Sequence, residues 1–414
     1  MPPLTPQLGT SINLSAMGVT AGQVIVLAPG HYQNIVAHNC AKDIAIYSPD
    51  GARATVGAID IAGNVSGLTI RDIDVRPGAN APDGAVAVVA GDGCRIQNLT
   101  LDSVTAVGFL KGFSFDRVGS GYIKSLALLN LLAAECGSLG YFINDAYGFA
   151  EGCVAYKCGG SDPNRDPTMT RGAYVNGPGL TWRKGFFGRC AMNGIRGGGA
   201  QLDSLALGCG MAFLRGDATK RVAGNVAMLS RDCVPSEPWR AIVGGFEGSA
   251  SFDCEVTGNL SGFHRGLGAT YAYSEHGDGS MNPFQRYGNV RYTNNGAIAY
   301  DHINSAAVGY GFDELGGAVM NGVAGCWAAP QLSGLVSEIK DPSKWIIGPG
   351  GLVSRPMASM KDPTRDPQRY AREVLGTDAQ SDDAAIEAIY QSIVNDRQKI
   401  GEAIAWFKDG VRLK

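Results

Sequence analysis

A short phrase recurs along this chain: an apolar residue, any residue, a small polar turn-former, an apolar residue, any residue, an apolar residue. It reads Ile70-Arg71-Asp72-Ile73-Asp74-Val75, Ile96-Gln97-Asn98-Leu99-Thr100-Leu101, Ile123-Lys124-Ser125-Leu126-Ala127-Leu128, Leu202-Asp203-Ser204-Leu205-Ala206-Leu207 and Tyr287-Gly288-Asn289-Val290-Arg291-Tyr292. The first three copies begin 26 and 27 residues apart. Each sets apolar residues two apart, the strand period, beside a polar bend, and such a unit cannot bury its faces alone. Neighbouring copies must therefore stack. Ile70, Ile96 and Ile123 are expected in one column, with Asp72, Asn98, Ser125, Ser204 and Asn289 above one another at a bend, bonding backbone or each other. A sandwich of unrelated strands would instead carry turn signals about every 8 to 12 residues and a cleaner alternation.

The phrase is entered through Gln23-Val24-Ile25-Val26-Leu27-Ala28-Pro29-Gly30-His31-Tyr32. An apolar strand running into Pro-Gly-x-Tyr, followed by stacked strands with a polar ladder at a bend, resembles the pectin-lyase-like superfamily over about residues 20 to 330. The resemblance implies an all-β fold, a right-handed parallel β-helix solenoid, to which the residues beyond it add a C-terminal irregular segment and α-helix. Given also the change of character beyond residue 335 described below, the chain is expected to divide into an N-terminal segment or cap (1–22), the parallel β-helix (23–335), a Pro/Gly-rich linker or wrap (336–369) and a C-terminal helical segment (370–414). Within that superfamily sit polysaccharide lyases, glycosidases and the spike proteins of bacterial viruses.

The 59 glycines and 18% charged residues among 414 suit many tight turns and a sparsely charged surface. A net charge of -3 gathers no phosphates, which argues against nucleic acid as a partner. Ten cysteines are spread through the repeats without zinc or redox spacing, and are expected as reduced core side chains. Met1-Pro2-Pro3-Leu4-Thr5-Pro6 has no basic start or apolar h-region, so no signal peptide is expected, and no stretch is apolar enough to insert in a membrane. These readings lead to the expectation of a virion or extracellular particle protein assembled in a host cytoplasm.

From Lys340 to Pro367 the sequence is punctuated by Asp-Pro, Gly-Pro and Arg-Pro pairs and is expected to be an irregular wrap that cannot continue a sheet. Beyond it, Tyr370 to Leu375 reads as a short helix. Ser381 with Asp382 and Asp383 reads as the N-cap and acidic first turn of a longer helix ending near Phe407. Ile386, Ile393, Ile400 and Phe407 recur every seven residues, with Ile389 and Ala403 at the other seam position and Asp396 interrupting. Either the helix caps the solenoid or it forms the attachment stalk of a homotrimer.

Candidate site residues fall in two departures from regular spacing, Gly159 to Gly185 and Phe263 to Tyr287, because binding residues concentrate in loops on a rigid scaffold. Flat rings stack on sugar faces and guanidinium forks grip carboxylates, which points to Trp182, Arg183, Arg171, Tyr174, Trp239, Arg240 and Tyr271 as glycan-binding residues. If the protein is an enzyme, the base and the carboxylate-neutralising cation come from His264, Arg265, Tyr273, Glu275 and His276. Asp162, Asn164 and Asp166 alternate like calcium ligands, but Pro167 replaces the turn glycine and Ala173 stands where the closing Glu belongs. The expected reading is therefore no cofactor, with calcium at those three residues as the metal alternative.

The function that best unites these readings is a polysaccharide-engaging β-helix spike or fibre of a phage or phage-derived particle. Its partners would be a host surface polysaccharide and other virion proteins. The alternatives are a polysaccharide lyase or glycosidase acting on an acidic polysaccharide, and a purely structural particle protein.

Overall fold

The computed structural model describes residues 2–49, 51–78, 82–159, 170–216, 218–231, 243–249, 254–264, 270–276, 290–298, 309–315, 323–328, 334–336 and 352–414. The chain divides into two compact units, Met1–Thr181 and Trp182–Lys414. Each is built of parallel coils. In the first ones a single long strand, Gly30–His38 or Ala54–Ala62, follows sheet A, and in later ones it divides so that the coil passes through three sheets. One coil of the first unit runs through Arg95–Asp102 in sheet A, Thr105–Val107 in sheet B and Lys111–Arg117 in sheet C, then returns to sheet A as Tyr122–Leu129. The described strands bond in parallel to their counterparts one coil away, as Leu101 to Leu128, Ala106 to Ala133 and Phe115 to Ile143 show, with the register shifting within two of the sheet A pairs. The fold is the all-β parallel β-helix that the repeat required. Coil-on-coil pairing also means that open strand edges occur only at the ends of a stack.

In-register stacking places like side chains over one another at the strand spacing of about 4.8 Å. Inside sheet C, Phe113 lies on Tyr141 with ring centroids 5.0 Å apart and planes 8° from parallel. In the second unit Phe213, Phe246 and Tyr273 continue the same device at 5.0 and 5.1 Å. Gly112 and Gly140 stand where these strands begin. A Cβ on Gly112 would sit 2.6 Å from the Gly140 carbonyl oxygen, so no larger residue fits between rungs there.

The repeated phrase turns out to mark two different places in the coil. Ile96 pairs with Ile123 and Leu99 with Leu126, as expected. Ile70, however, pairs with Leu101, and the residue stacked on Ile96 is Val65. The true preceding copy is Val65-Ser66-Gly67-Leu68-Thr69-Ile70, and in it Gly67, like Asn98 and Ser125, has left-handed φ (69°, 53° and 55°). These three residues kink a sheet A strand so that two successive residues turn outward between buried apolar ones. The copies at Ile70 and Leu202 belong instead to the bend from sheet A to sheet B, where Asp72, Ser103 and Asn130 in the first unit and Asp203 in the second are left-handed. Both places demand a small polar residue with positive φ flanked by apolar ones, and the phrase registers that shared demand.

A polar ladder does line the bend in the second unit, one residue after the left-handed position. Ser204, Asn225, Asn259 and Asn295 are all buried there. The Asn259 Oδ1 accepts from the Asn225 backbone N–H (2.9 Å) and amide (3.1 Å), while its Nδ2 donates to the Val222 carbonyl (2.9 Å) and the Asn295 Oδ1 (3.0 Å). Ser204 holds the expected place, Asn98 and Ser125 belong to the outward kink, and Asn289 lies outside the described residues.

The C-terminal segment differs from the expectation in two respects. Leu352–Ser354 is a strand paired with Cys326–Ala328, so the Pro/Gly-rich segment does contribute to sheet B. The longer helix is also two helices. After α1 (Pro367–Glu373), α2 (Asp382–Asn395) starts from the Ser381 N-cap, ends at Asp396 as its C-cap, and α3 (Lys399–Gly410) follows. The seam residues Ile386, Ile389, Ile393, Ile400, Ala403 and Phe407 are all buried within this chain. They pack the helices on one another and on sheet B of the second unit, where Phe186 meets Tyr390 with centroids 6.5 Å apart. Asp383 binds Arg189 (3.1 Å) and Arg231 (2.7 Å), residues that follow two different coils of that sheet.

Candidate functional site

In the first unit the outer face of sheet C carries a strip that register assembles from three strands, Lys111–Arg117, Leu139–Asn144 and Arg171–Asn176. Period-2 alternation sends Phe113, Phe115, Tyr141, Ile143, Ala173 and Val175 into the core, leaving the intervening residues outside. Register then aligns Ser114, Phe142 and Tyr174 down the middle and Asp116, Asn144 and Asn176 along one flank, while at the other end Lys111 aligns with Leu139 and Arg171, which are buried at 7% and 2% exposure.

The half-buried Phe142 and Tyr174 rings stack 5.9 Å apart and 4° from parallel. A cation stands over each: the Lys111 Nζ lies 5.3 Å from the Phe142 centroid and the Arg171 guanidinium 5.0 Å from that of Tyr174. Such contacts are worth about 0.5–1 kcal/mol where exposed and fix long side chains in place. Along the other flank the Asn176 Nδ2 donates to the Asn144 Oδ1 (3.0 Å), whose Nδ2 donates to the Asp116 Oδ1 (2.8 Å). Arg171 is only 2% exposed, so Lys111, half-buried, is the cation open to a ligand. With the outward edges of the stacked rings and a chain of amides ending on a carboxylate, it suits a ligand with apolar surfaces, hydroxyl groups and an anionic substituent.

Of the sequence candidates, Arg171 and Tyr174 come together in this strip. Trp182 does not: it is 1% exposed and packs on Phe187 at 5.5 Å, so its ring face is unavailable to a ligand. Arg183 beside it is exposed. The stretch expected as a loop from Gly159 to Gly185 contains the strands Arg171–Asn176 and Leu180–Arg183. Asp162, Asn164, Asp166, Trp239, Arg240 and Arg265 lie outside the described residues. Tyr271, Glu275 and His276 fall in the strand Thr270–His276, where the description of those three extends to the backbone alone.

Two candidates for acid–base chemistry are core residues. Tyr273 is fully buried, its hydroxyl 2.9 and 3.0 Å from the carbonyls of Asn259 and Gly296. His264 is also fully buried, its Nδ1 accepting from the Ser230 N–H (3.1 Å) and its Nε2 lying 2.7 Å from the Ser261 Oγ. Burial drives its pKa down to about 3, since the imidazolium would lose its hydration. It sits one residue past the left-handed Phe263, as Cys136, Cys158 and Cys190 sit past Glu135, Lys157 and Arg189, and it fills the rung that cysteines occupy elsewhere. Among the described residues no group of three or more His, Cys, Asp or Glu side chains is arranged to hold a metal ion.

Lys111, Phe142, Asp116, Asn144 and Asn176 were absent from the sequence candidates. Part of their signal is there: aligning Lys111-x-x-Ser114-x-Asp116 with Leu139-x-x-Phe142-x-Asn144 and Arg171-x-x-Tyr174-x-Asn176 brings out one chemically consistent column, Asp116, Asn144 and Asn176, and sets Phe142 beside Tyr174. Only the sheet C register shows that these segments should be aligned.

No protein-family model matches the chain, and no curated protein does. Among solved structures it is similar to a PL6 family polysaccharide lyase from Pseudopedobacter saltans, at 13% identity over 88% of this chain and 95% of that one, with a TM-score of 0.43. It is also similar to the A-module of a mannuronan C-5 epimerase from Azotobacter vinelandii (14% identity, 83% and 93% covered, TM-score 0.40) and to a pectate lyase (13% identity, 76% and 77% covered, TM-score 0.28). At these values the fold rests on the strand registers themselves.

Proposed function

We propose that this protein binds an acidic polysaccharide across the outer face of sheet C in its first unit. The observation that carries the reading is the Phe142–Tyr174 stack with Lys111 and Arg171 over its rings. A sugar chain crossing the strands would meet the outward ring edges with its apolar faces, Lys111 with a carboxylate and the Asn144–Asn176 amides with its hydroxyls, with buried Arg171 holding Tyr174 in place. The setting we propose is a spike or fibre of a phage or phage-derived particle, where holding a host glycan is the useful step. Nine described cysteines are thiols, eight of them buried, which supports folding in a reducing compartment.

Titration with an oligogalacturonate and with its neutral methyl ester tests the reading. Tyr174→Ala is expected to weaken binding of the charged oligomer about three- to tenfold, the usual worth of an aromatic contact. Unchanged affinity would overturn it. A second reading is cleavage by elimination, for which the strip offers the Tyr174 phenol as the acid–base group and the Lys111 ammonium, one ring further along the stack, as the carboxylate-neutralising cation. New ultraviolet absorbance from an unsaturated product in the same titration separates cleavage from binding.

A further inference from the structure

The outward kink in sheet A gives the first unit a second face with ligand-binding chemistry. Ordinary alternation shows one outer residue between two buried ones, but here the left-handed residue doubles them. Gln97 and Asn98 are both exposed between buried Ile96 and Leu99, and Lys124 and Ser125 between Ile123 and Leu126. Register puts Gln97 beside Lys124 and Arg95 beside Tyr122, so four outer side chains form one tile across two coils. On the next coil the register slips between Ile123 and Leu126, so that the stretch 124–125 faces Tyr147 alone, with its ring 43% exposed. Bulges of this kind re-aim side chains and cluster at functional places.

The charges on this tile are uncompensated. The Arg95 guanidinium lies 5.6 Å and the Lys124 Nζ 5.0 Å from the centroid of the same Tyr122 ring. Both cations are exposed, and neither forms an ion pair among the described residues, whereas Arg53 and Arg117 of the same unit each hold an aspartate at 2.7–2.8 Å. Within the kink column itself the carboxylate is Asp43, two rungs from the strand that carries Arg95 and three from the strand that carries Lys124, about 10 and 14 Å at the usual strand spacing. Two like charges gathered on one ring without a counter-ion repel each other, and an anion between them would relieve the repulsion.

We infer that this kinked face of sheet A is a separate binding shelf for an acidic saccharide. Arg95 and Lys124 take its carboxylates, Gln97 its hydroxyls, and the Tyr122 and Tyr147 rings its apolar faces. The shelf is independent of the sheet C strip, because it uses other strands and other residues of the same coils.

Oligogalacturonate is titrated into the full chain carrying Arg95→Gln together with Lys124→Gln, and separately into Tyr174→Ala, with thermal unfolding as the check that each variant is folded. Both glutamine positions are exposed, so the melting temperature is expected to stay that of the wild type. Loss of two charge-assisted contacts is expected to weaken the shelf's affinity at least tenfold, while the Tyr174-dependent phase persists. As a second readout, coupling of a carboxyl-activated oligogalacturonate followed by peptide mapping is expected to mark Lys124. Affinity unchanged in the double variant, or no marking of Lys124, overturns the shelf and leaves the sheet C reading standing. Loss confined to the double variant supports the shelf and overturns the sheet C reading.

Discussion

His264 makes the burial argument measurable. Its ordinary pKa of about 6.5 holds in the unfolded chain, while the folded value is about 3. As pH falls through 6.5 the unfolded chain takes up a proton that the folded protein refuses. Stability is therefore full above 6.5 and is lost progressively as pH drops toward 3. Between pH 7 and pH 5 the unfolded chain gains about 2 kcal/mol from this one group, at 1.36 kcal/mol per pH unit below its pKa. The perturbation is His264→Gln, whose amide is able to accept from the Ser230 N–H without titrating. Urea unfolding of both proteins at pH 7 and pH 5 gives the assay, and differencing cancels the other four histidines. The wild type is expected to lose about 2 kcal/mol more than the variant over that interval. Equal losses would mean that His264 is protonated or hydrated in the folded protein, and would return it to the candidates for acid–base chemistry.

Two further outcomes follow from the packing. Asn259→Ala removes four ladder bonds and leaves the Asn225 N–H buried without its acceptor, so urea unfolding is expected to register a loss of about 3–4 kcal/mol at ~1 kcal/mol per bond. A loss below about 1 kcal/mol would show that stacking of the coils, not the amides, sets the bend. Asp383→Ala breaks the contacts with Arg189 and Arg231, all partly exposed, and is expected to cost about 1 kcal/mol or less after screening. Limited proteolysis should then cut between residues 376 and 381 faster than in the wild type, and an unchanged rate would leave the apolar seam as the whole of the attachment.

The strands and their stacking were legible because both leave a period-2 pattern and a repeat length in the sequence. The exact rung was not, since Asp72 at a bend and Asn98 within a strand answer to the same local demand, positive φ between apolar neighbours. Only pairing tells them apart: Ile70 meets Leu101, and Val65 meets Ile96. The candidate site suffered from the same ambiguity. Arg171 and Tyr174 were found as residues of suitable type, but the partners Lys111 and Phe142 lie one or two coils away in a column that sequence spacing does not reveal. Trp182 and Tyr273 have suitable side chains too, and alternation on their short strands sends them inward.

The C-terminal stripe of Ile386, Ile393, Ile400 and Phe407 reads alike as a stalk or as a brace, because a heptad specifies one apolar face and not what covers it. The break at Asp396 changes the geometry: α2 and α3 become two elements that share the stripe and set it against sheet B of the second unit. Gly208 marks the closest approach, for a Cβ there would stand 2.7 Å from the Ile386 Cδ1. On α3 the Lys408 ammonium reaches the Gly224 carbonyl, and burial pushes its pKa down to about 8, a cost that the packing of Phe407 and Ile404 beside it must offset. Residues from several rungs of sheet B are thus tied to one pair of helices, which braces those rungs from the side. A homotrimer built on the same stripe would have to strip these helices from their own coils, exposing Phe186 and the whole seam, so any trimer of the folded chain must use another surface.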